Sequence, residues 1–348
     1  MLPDGEAARV ERRADCYDPA ALPPVETLAD GRKAVRLRVL LWNVEGLPWP
    51  IRSGRGPKLE RIADWIARRR AAGHGPDILI LHKAFVPEAS RITLAGGFRN
   101  ILPGPALKEK RQLPAAPPPD GYAGAAHWWK GEGIGKWLDG GLYIATDLPV
   151  IDSARDAFGA DSCAGYDCLS NKGGLALRVA IPGAPEPVTL FNTHRNSREP
   201  AQVGIPRAET SHILQTREND ALLTAFGDLK DGGDALIAAG DFNNYRAGDR
   251  AGRFATDPAF RLAAKGPGLA ARAAPMTDAR AWTEAYDLVG YRGSDALRVE
   301  PLSVVTLFDG QNGPVLSDHP AQYVTFRLSW RGDAPAMPIA VPRCATRS

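Results

Sequence analysis

No apolar run in this 348-residue chain approaches the roughly 18 residues of a transmembrane helix, so a spanning segment is not expected. The N-terminal stretch MLPDGEAARVERRADCYDP lacks the apolar centre of a signal peptide. The protein is then either cytoplasmic, or secreted or periplasmic with its leader removed; we take the second as the expectation. Charge of one sign is scarce. The 43 Lys and Arg against 40 Asp and Glu leave a formal +3, too little to imply nucleic acid or an anionic membrane as partner. CxxC and Cys/His zinc spacings are missing, which excludes the common structural zinc sites. No internal repeat and no clear linker divides the chain.

Four cysteines are present, at Cys16, Cys163, Cys168 and Cys344. Cys163 and Cys168 share one loop, whereas Cys16 and Cys344 lie near opposite ends, and chain ends often lie close together. The pairings 163 with 168 and 16 with 344 suit an oxidising compartment; four unpaired thiols suit a reducing one.

Hydrophobic periodicity predicts a polar leader over residues 1–34, one α/β domain over 35–330 and a loosely packed Pro-rich tail over 331–348. Val35 to Trp42 begins with alternation and becomes apolar, as a buried strand does. Leu59, Ile62, Ala63 and Ile66 recur at helical spacing behind Pro57, and Ile78 to Leu81 forms a second buried strand. Strand, helix, strand in succession is a βαβ-like opening. Further strands are predicted at 142–145, 174–179, 188–191, 235–239 and 321–328, a helix over 207–226 and a long surface loop over 102–126.

Several strands stop in residues able to hold a metal or activate water. Asp241 and Asn243 end the run IAAGDFNN, and on an extended backbone they point the same way. Gly240 before them allows a close approach to a ligand. A carboxylate and an amide oxygen there suit a hard cation, a phosphoryl oxygen or a nucleophilic water; the alternative is an Asx-rich turn. Asp318-His319 offers a carboxylate beside an imidazole able to take a proton from water, or else a surface turn. His194 ends LFNTH and is either a phosphoryl ligand or structural. His127-Trp128-Trp129 and Trp137 lie in a Gly-rich segment, where tryptophans either reach a lipid interface or fill the core.

In this order, LLWNVEGL, DILILHKAF, DGGLYIAT, FNTHRNS, GDFNN and LSDHP resemble the endonuclease/exonuclease/phosphatase superfamily of metal-dependent phosphoesterases. The stretch DSCAGYDCLSNKGG and the Arg207-Ala208-Glu209 helix opening look like the bacterial neutral sphingomyelinase branch. The resemblance implies a four-layer α/β sandwich of two mixed β-sheets flanked by helices, with the site on the rim between the sheets. It also implies Mg²⁺ held by Asn43 and Asp318. Asp241 and Asn243 would orient the attacking water and the phosphoryl group, His319 would act as general base, and His194 would stabilise the transition state. Asn171 and Lys172 would bind phosphate. The substrate would be a phosphodiester, of a phospholipid or a nucleic acid, with peripheral membrane contact through Trp128 and Trp129. A monomer is expected.

Two positions depart from the family. Its metal-binding Glu closes the second strand after Gln or Asn, where this chain has His82 and Lys83. At about 4 Å and an effective dielectric of about 20, an ammonium opposes a divalent cation by roughly 8 kcal/mol. Lys83 is therefore either a solvated residue off the site, or an ammonium filling the cation position. Glu45, on the same strand face as Asn43, can pair with it or supply a replacement carboxylate. The second departure is an Asp that orients the catalytic histidine. The region aligned with it reads Glu300-Pro301-Leu302-Ser303-Val304-Val305-Thr306 and holds none. The readings left open are thus a phosphodiester hydrolase of the sphingomyelinase type, a non-enzymatic phosphate-binding descendant, and a nuclease.

Overall fold

The computed structural model describes residues 9–227, 233–244, 250, 261–265, 278, 280–283 and 286–345. Two mixed sheets stack face to face. The first is built from β1 (Val25–Thr27), β2 (Lys33–Gly46), β3 (Ile78–Ala84), β4 (Asn100–Pro103), β5 (Tyr143–Thr146), β12 (Arg298–Leu307) and β13 (Ala321–Trp330). Its order is β12-β13-β2-β3-β5-β4, with β1 paired to β2. The second holds β6 (Val150–Ala157), β7 (Gly173–Val179), β8 (Val188–His194), β9 (Ala235–Asp241), β10 (Arg261–Leu262) and β11 (Asp287–Arg292) in the order β10-β11-β9-β8-β7-β6. Helix α1 (Gly56–Ala71) covers the outer face of the first sheet. Two single-turn helices, α2 (Pro87–Ser90) and α3 (Ile92–Ala95), join it, and α4 (Ile205–Phe226) covers the second sheet.

The layering follows from period-two side chains on strands buried on both faces. Val35, Leu37, Val39 and Leu41 of β2 point between the sheets, against Leu177, Leu190, Ile237 and Val289 of the second. Leu40, Trp42 and Val44 of the same strand point outward, onto Leu59, Ile62 and Ile66 of α1. On the other side, Phe191, Leu236 and Ala238 meet Leu222, Leu223 and Phe226 of α4. The expected four layers are therefore present, and the helical spacing 59, 62, 66 is the face that packs.

Among the described residues each sheet contains one parallel pair, β2 with β3 and β8 with β9. Their C-terminal ends face one rim, where β11 starts opposite the end of β9, with Asp287 paired to Asp241. The turn before β13 delivers Asp318 and His319 to the same rim. Leader and tail are held more closely than the composition suggested. Arg12 bridges Ile101, Tyr17 bridges Arg343, and Met337 N–H donates to Ala184 O. Disulfides join Cys16 to Cys344 and Cys163 to Cys168. Residues 1–8 of the leader and 346–348 of the tail lie outside the described residues.

Candidate active site

The parallel register of β2 and β3 runs to Asn43 opposite His82 and then breaks, resuming at Gly46 opposite Ala84. Within this bulge Glu45 (φ 51°) and Lys83 (φ 49°) both adopt left-handed backbone, as does Asn243 (φ 53°) beyond β9. Such conformations cost of order 1–3 kcal/mol each in non-glycine residues, and they concentrate at functional sites. Here the bulge re-aims Lys83 into the rim. Its Nζ lies 3.4 Å from His319 Nε2 and 3.8 Å from Asp318 Oδ2.

From Lys83 the polar contacts run continuously across the pocket. His319 Nδ1 meets Asp287 Oδ2 at 2.8 Å and Asp241 Oδ2 at 3.9 Å. Asp241 Oδ2 accepts the Asn43 amide at 2.9 Å and faces His194 Nε2 at 3.4 Å. Lys172 Nζ lies 3.1 Å from the same His194 nitrogen, 3.0 Å from Asp167 Oδ1, and donates to Arg195 O. Asn43, Lys83, His194, Asp241, Asp318, His319 and Lys172 thus form one connected constellation. It also contains Asp287, which the sequence reading missed.

Asp287 is the carboxylate placed against His319, although the segment Glu300 to Thr306 was aligned to that role. That segment belongs to β12, an edge strand of the other sheet, whereas Asp287 opens β11 beside β9. The available signal was Tyr286-Asp287-Leu288-Val289, an Asp heading a short apolar run ahead of Asp318-His319. Asp287 also faces the buried His82, with Oδ1 3.3 Å from Nδ1, while His82 Nε2 lies 2.5 Å from Asn192 Oδ1. The ring of Tyr286 packs on the His319 imidazole with centroids 4.8 Å apart.

Other expectations change. Glu45 does not pair with Lys83: Arg52 at 2.8 Å and Arg55 at 3.2 Å hold its carboxylate, which also accepts the Asp318 backbone N–H. The two guanidinium groups that follow Glu45 closely along the chain outcompete Lys83 on the neighbouring strand and neutralise a nearly buried charge. Asn171 turns inward and donates its amide to Ala106 O and Glu109 O, so it braces the loop instead of facing a phosphate. Asn243 is not on extended backbone beside Asp241. Its amide donates to Arg195 O, and its own N–H caps Asp241 Oδ1. Gly240 serves the neighbouring strand, since a Cβ there would stand 2.7 Å from Thr193 O.

Electrostatics separate the groups. Burial pushes the Asp287 carboxyl up, but the His319 charge and hydrogen bond outweigh it and bring it down to about 2. Burial lowers His319, yet Asp287 and Asp241 outweigh burial and the opposing Lys83, so the imidazole titrates above its ordinary 6.5. Burial and the Asp287 charge raise Asp241. Burial, with Lys172 and Lys83 nearby, holds His194 well below the usual range, so this ring is neutral and accepts from Lys172. Burial keeps Lys172 below the ordinary lysine value, and Asp167 offsets this only in part.

The loop carrying Lys172 is fastened by the Cys163–Cys168 bond and by Gly165, which has φ 62° and whose added Cβ would fall 1.8 Å from Ala201 O. We expect Gly165→Ala to cost about 2–4 kcal/mol, read as a lowered midpoint in thermal melting. An unchanged midpoint would show that the loop relaxes freely.

No protein-family model and no curated protein sequence matches the chain. Solved structures do match it. Sphingomyelinase C from Streptomyces griseocarneus is 18% identical with a TM-score of 0.53, over 83% of this chain and 99% of that one. A mutant of Staphylococcus aureus beta toxin with bound magnesium ions is 15% identical with a TM-score of 0.53, over the same shares. TDP2 of D. rerio, humanized by 14 mutations, is 14% identical with a TM-score of 0.51, over 84% of this chain and 98% of that one. The chain therefore has the endonuclease/exonuclease/phosphatase fold. Within that fold, its matches include both sphingomyelinase C and TDP2.

The residues at the rim do not fit a magnesium ion in the place the resemblance gave it. Mg²⁺ demands about six oxygens near 2.1 Å. Here the end of β3 supplies an ammonium, Glu45 is bound by two arginines, and the Asn43 amide faces Asp241 through its nitrogen. Asp241, Asp287 and His319 do present ligand-type atoms within 4.8 Å of one another. These atoms are already engaged, Asp287 with His319 and Asp241 with Asn43, and Lys83 stands at His319 Nε2.

Proposed function

We propose that this protein hydrolyses a phosphodiester by attack of water, with His319 as general base. The observation that carries the reading is the Asp287–His319 pair. Its 2.8 Å contact at Nδ1 fixes the ring and leaves Nε2 facing Lys83 and Asp318. Water beside Nε2 loses its proton there while its oxygen bonds to phosphorus. The ester P–O bond opposite breaks, the departing oxygen takes its proton from solvent on that side, and His319 returns the proton it accepted to bulk water. Asp287 stabilises the imidazolium, and Lys172 neutralises charge developing on the phosphoryl oxygens. His194, neutral between Lys172 and Asp241, is a positioning residue for the lysine.

Hydrolysis of bis(4-nitrophenyl) phosphate and of sphingomyelin by the full chain, against His319→Ala, tests this. We expect turnover in the first and a loss of about 10³-fold or more in the second. No turnover of either diester would favour the non-enzymatic phosphate-binding reading. Because the base must be unprotonated and its pKa is raised, kcat/KM should climb with pH through a midpoint above 6.5. A limb centred below 6.5 would argue against His319 as the base.

A phospholipid is the favoured substrate class, and the protein would meet it at a membrane surface. Trp128 (68% exposed), Trp129 (58%) and Trp137 (49%) are not core, and Trp137 N–H donates to Leu169 O beside the Lys172 loop. Exposed tryptophans next to a headgroup site suit an interface between lipid and water. We expect the Trp128→Ser, Trp129→Ser double variant to bind phosphatidylcholine–sphingomyelin vesicles several-fold more weakly in co-sedimentation. Undiminished binding would return the substrate question to nucleic acid. Two disulfides suit secretion or the periplasm, which we propose as the location.

A further inference from the structure

We propose that the Lys83 ammonium takes the cation's place in this site, so that Lys83 and Lys172 hold the phosphoryl group without a divalent ion. The inference rests on the phosphodiester reading above and specifies how that site binds its anion.

The backbone gives the first support. Lys83 occupies a strained left-handed position inside a bulge, opposite Glu45 in the same state. A lysine is a poor choice for such a conformation, and a solvated residue off the site would have no need of it. The strain instead delivers Nζ to the pocket mouth, within 3.4 Å of His319 Nε2 and 3.8 Å of Asp318 Oδ2.

The second support is the state of the carboxylates. Arg52 and Arg55 hold Glu45, Lys172 holds Asp167, and His319 holds Asp287. Of the acids already named at this rim, Asp318 is the one whose side chain is substantially exposed, at 39%, and it faces Lys83. A divalent ion would find one available carboxylate and an ammonium already beside it, which is a poor magnesium site.

The third is charge complementarity across the pocket. Lys83 lies at one end of the polar chain and Lys172 at the other, with His319, Asp241 and His194 between them. Two ammonium groups flanking a general base suit a tetrahedral monoanion, whose oxygens they can bind as point charges. On substrate entry, Lys83 exchanges its contact with Nε2 for a phosphoryl oxygen, which frees Nε2 to take the proton from water.

The test titrates inorganic phosphate into the full chain by calorimetry in EDTA and again in Mg²⁺, alongside turnover of bis(4-nitrophenyl) phosphate in both. Lys83→Met and Lys83→Arg are compared with the parent, with circular dichroism and melting to confirm folding. We expect phosphate to bind in EDTA with an affinity that Mg²⁺ changes less than about twofold. Lys83→Met should weaken it at least about tenfold, and Lys83→Arg should restore most of the loss. No phosphate binding in EDTA, or equal affinity in Lys83→Met, would overturn the inference and leave Lys83 as a partner of Asp318 alone. Phosphate binding in EDTA without turnover of any diester would remove the hydrolase reading while the inference stands. Turnover that requires Mg²⁺ would do the reverse.

Discussion

Lys83→Glu is expected to make magnesium a requirement where the parent chain ignores it. In EDTA the variant should lose at least about 100-fold in diester turnover, because a carboxylate beside Asp318 repels the phosphoryl anion that the ammonium attracted. Added Mg²⁺ should recover much of that loss. The substitution removes one positive charge, adds one negative charge, and places a second carboxylate beside Asp318 at the end of the β2–β3 pair. A repulsion of roughly 8 kcal/mol at about 4 Å then becomes an attraction of comparable size before solvent screening. Solvent matters here, since the Asp318 side chain is 39% exposed, and the measured gain will be smaller. Calorimetric titration of Mg²⁺ into both forms reads the change without relying on turnover. Equal Mg²⁺ affinity and equal turnover in the two would show that position 83 is not where a cation belongs.

Asp287→Asn should be almost as damaging as loss of the base itself, with a fall in kcat of about 10³-fold or more. The carboxylate does two things for His319: it fixes the proton on Nδ1, and it stabilises the imidazolium. An amide can present its N–H to Nδ1 and favour the wrong tautomer. A pH profile separates this positioning role from simple structural damage. Removing the Asp287 charge lowers the His319 pKa, so the ascending limb should shift to lower pH while its plateau drops. A reduced plateau with an unmoved limb would place Asp287 outside the proton-transfer system. The same carboxyl affects acid stability. With its pKa depressed from 3.8 to about 2, its stabilising contribution is complete above the unfolded value and disappears as pH falls through about 2. Asp287→Asn should therefore flatten the parent's loss of melting temperature in that window, and an identical acid profile would contradict the assignment.

Local patterning gave the central strands and the two long helices. The four-layer arrangement came from the family resemblance, and β1, β4, β6 and β10 to β12 went unread. Strands buried on both faces read as apolar runs, and the helical repeat of Leu59, Ile62 and Ile66 identified α1. Polar residues at strand ends marked where β2, β3, β8 and β9 stop. These signals are legible because side-chain direction follows backbone period within a few residues. Lys83 stood out through the family resemblance instead, as an ammonium where that family has a metal-binding Glu.

Which of those polar groups work together was decided by tertiary structure. Asp287 reaches His319 through antiparallel pairing of β11 with β9, a contact between segments far apart in sequence and brief in pattern. Glu45 shares a strand face with Asn43, but two arginines from the following loop and helix start claim it. Asn171, one residue from Lys172, turns the opposite way because backbone carbonyls of the 106–109 loop need its amide. The exposure of Trp128 and Trp129 likewise depended on what the rest of the chain left uncovered. The physical reason is common to all four. Periodicity is a property of neighbours along the chain, whereas hydrogen bonds, ion pairs and burial are won by whichever partner the packed fold brings closest.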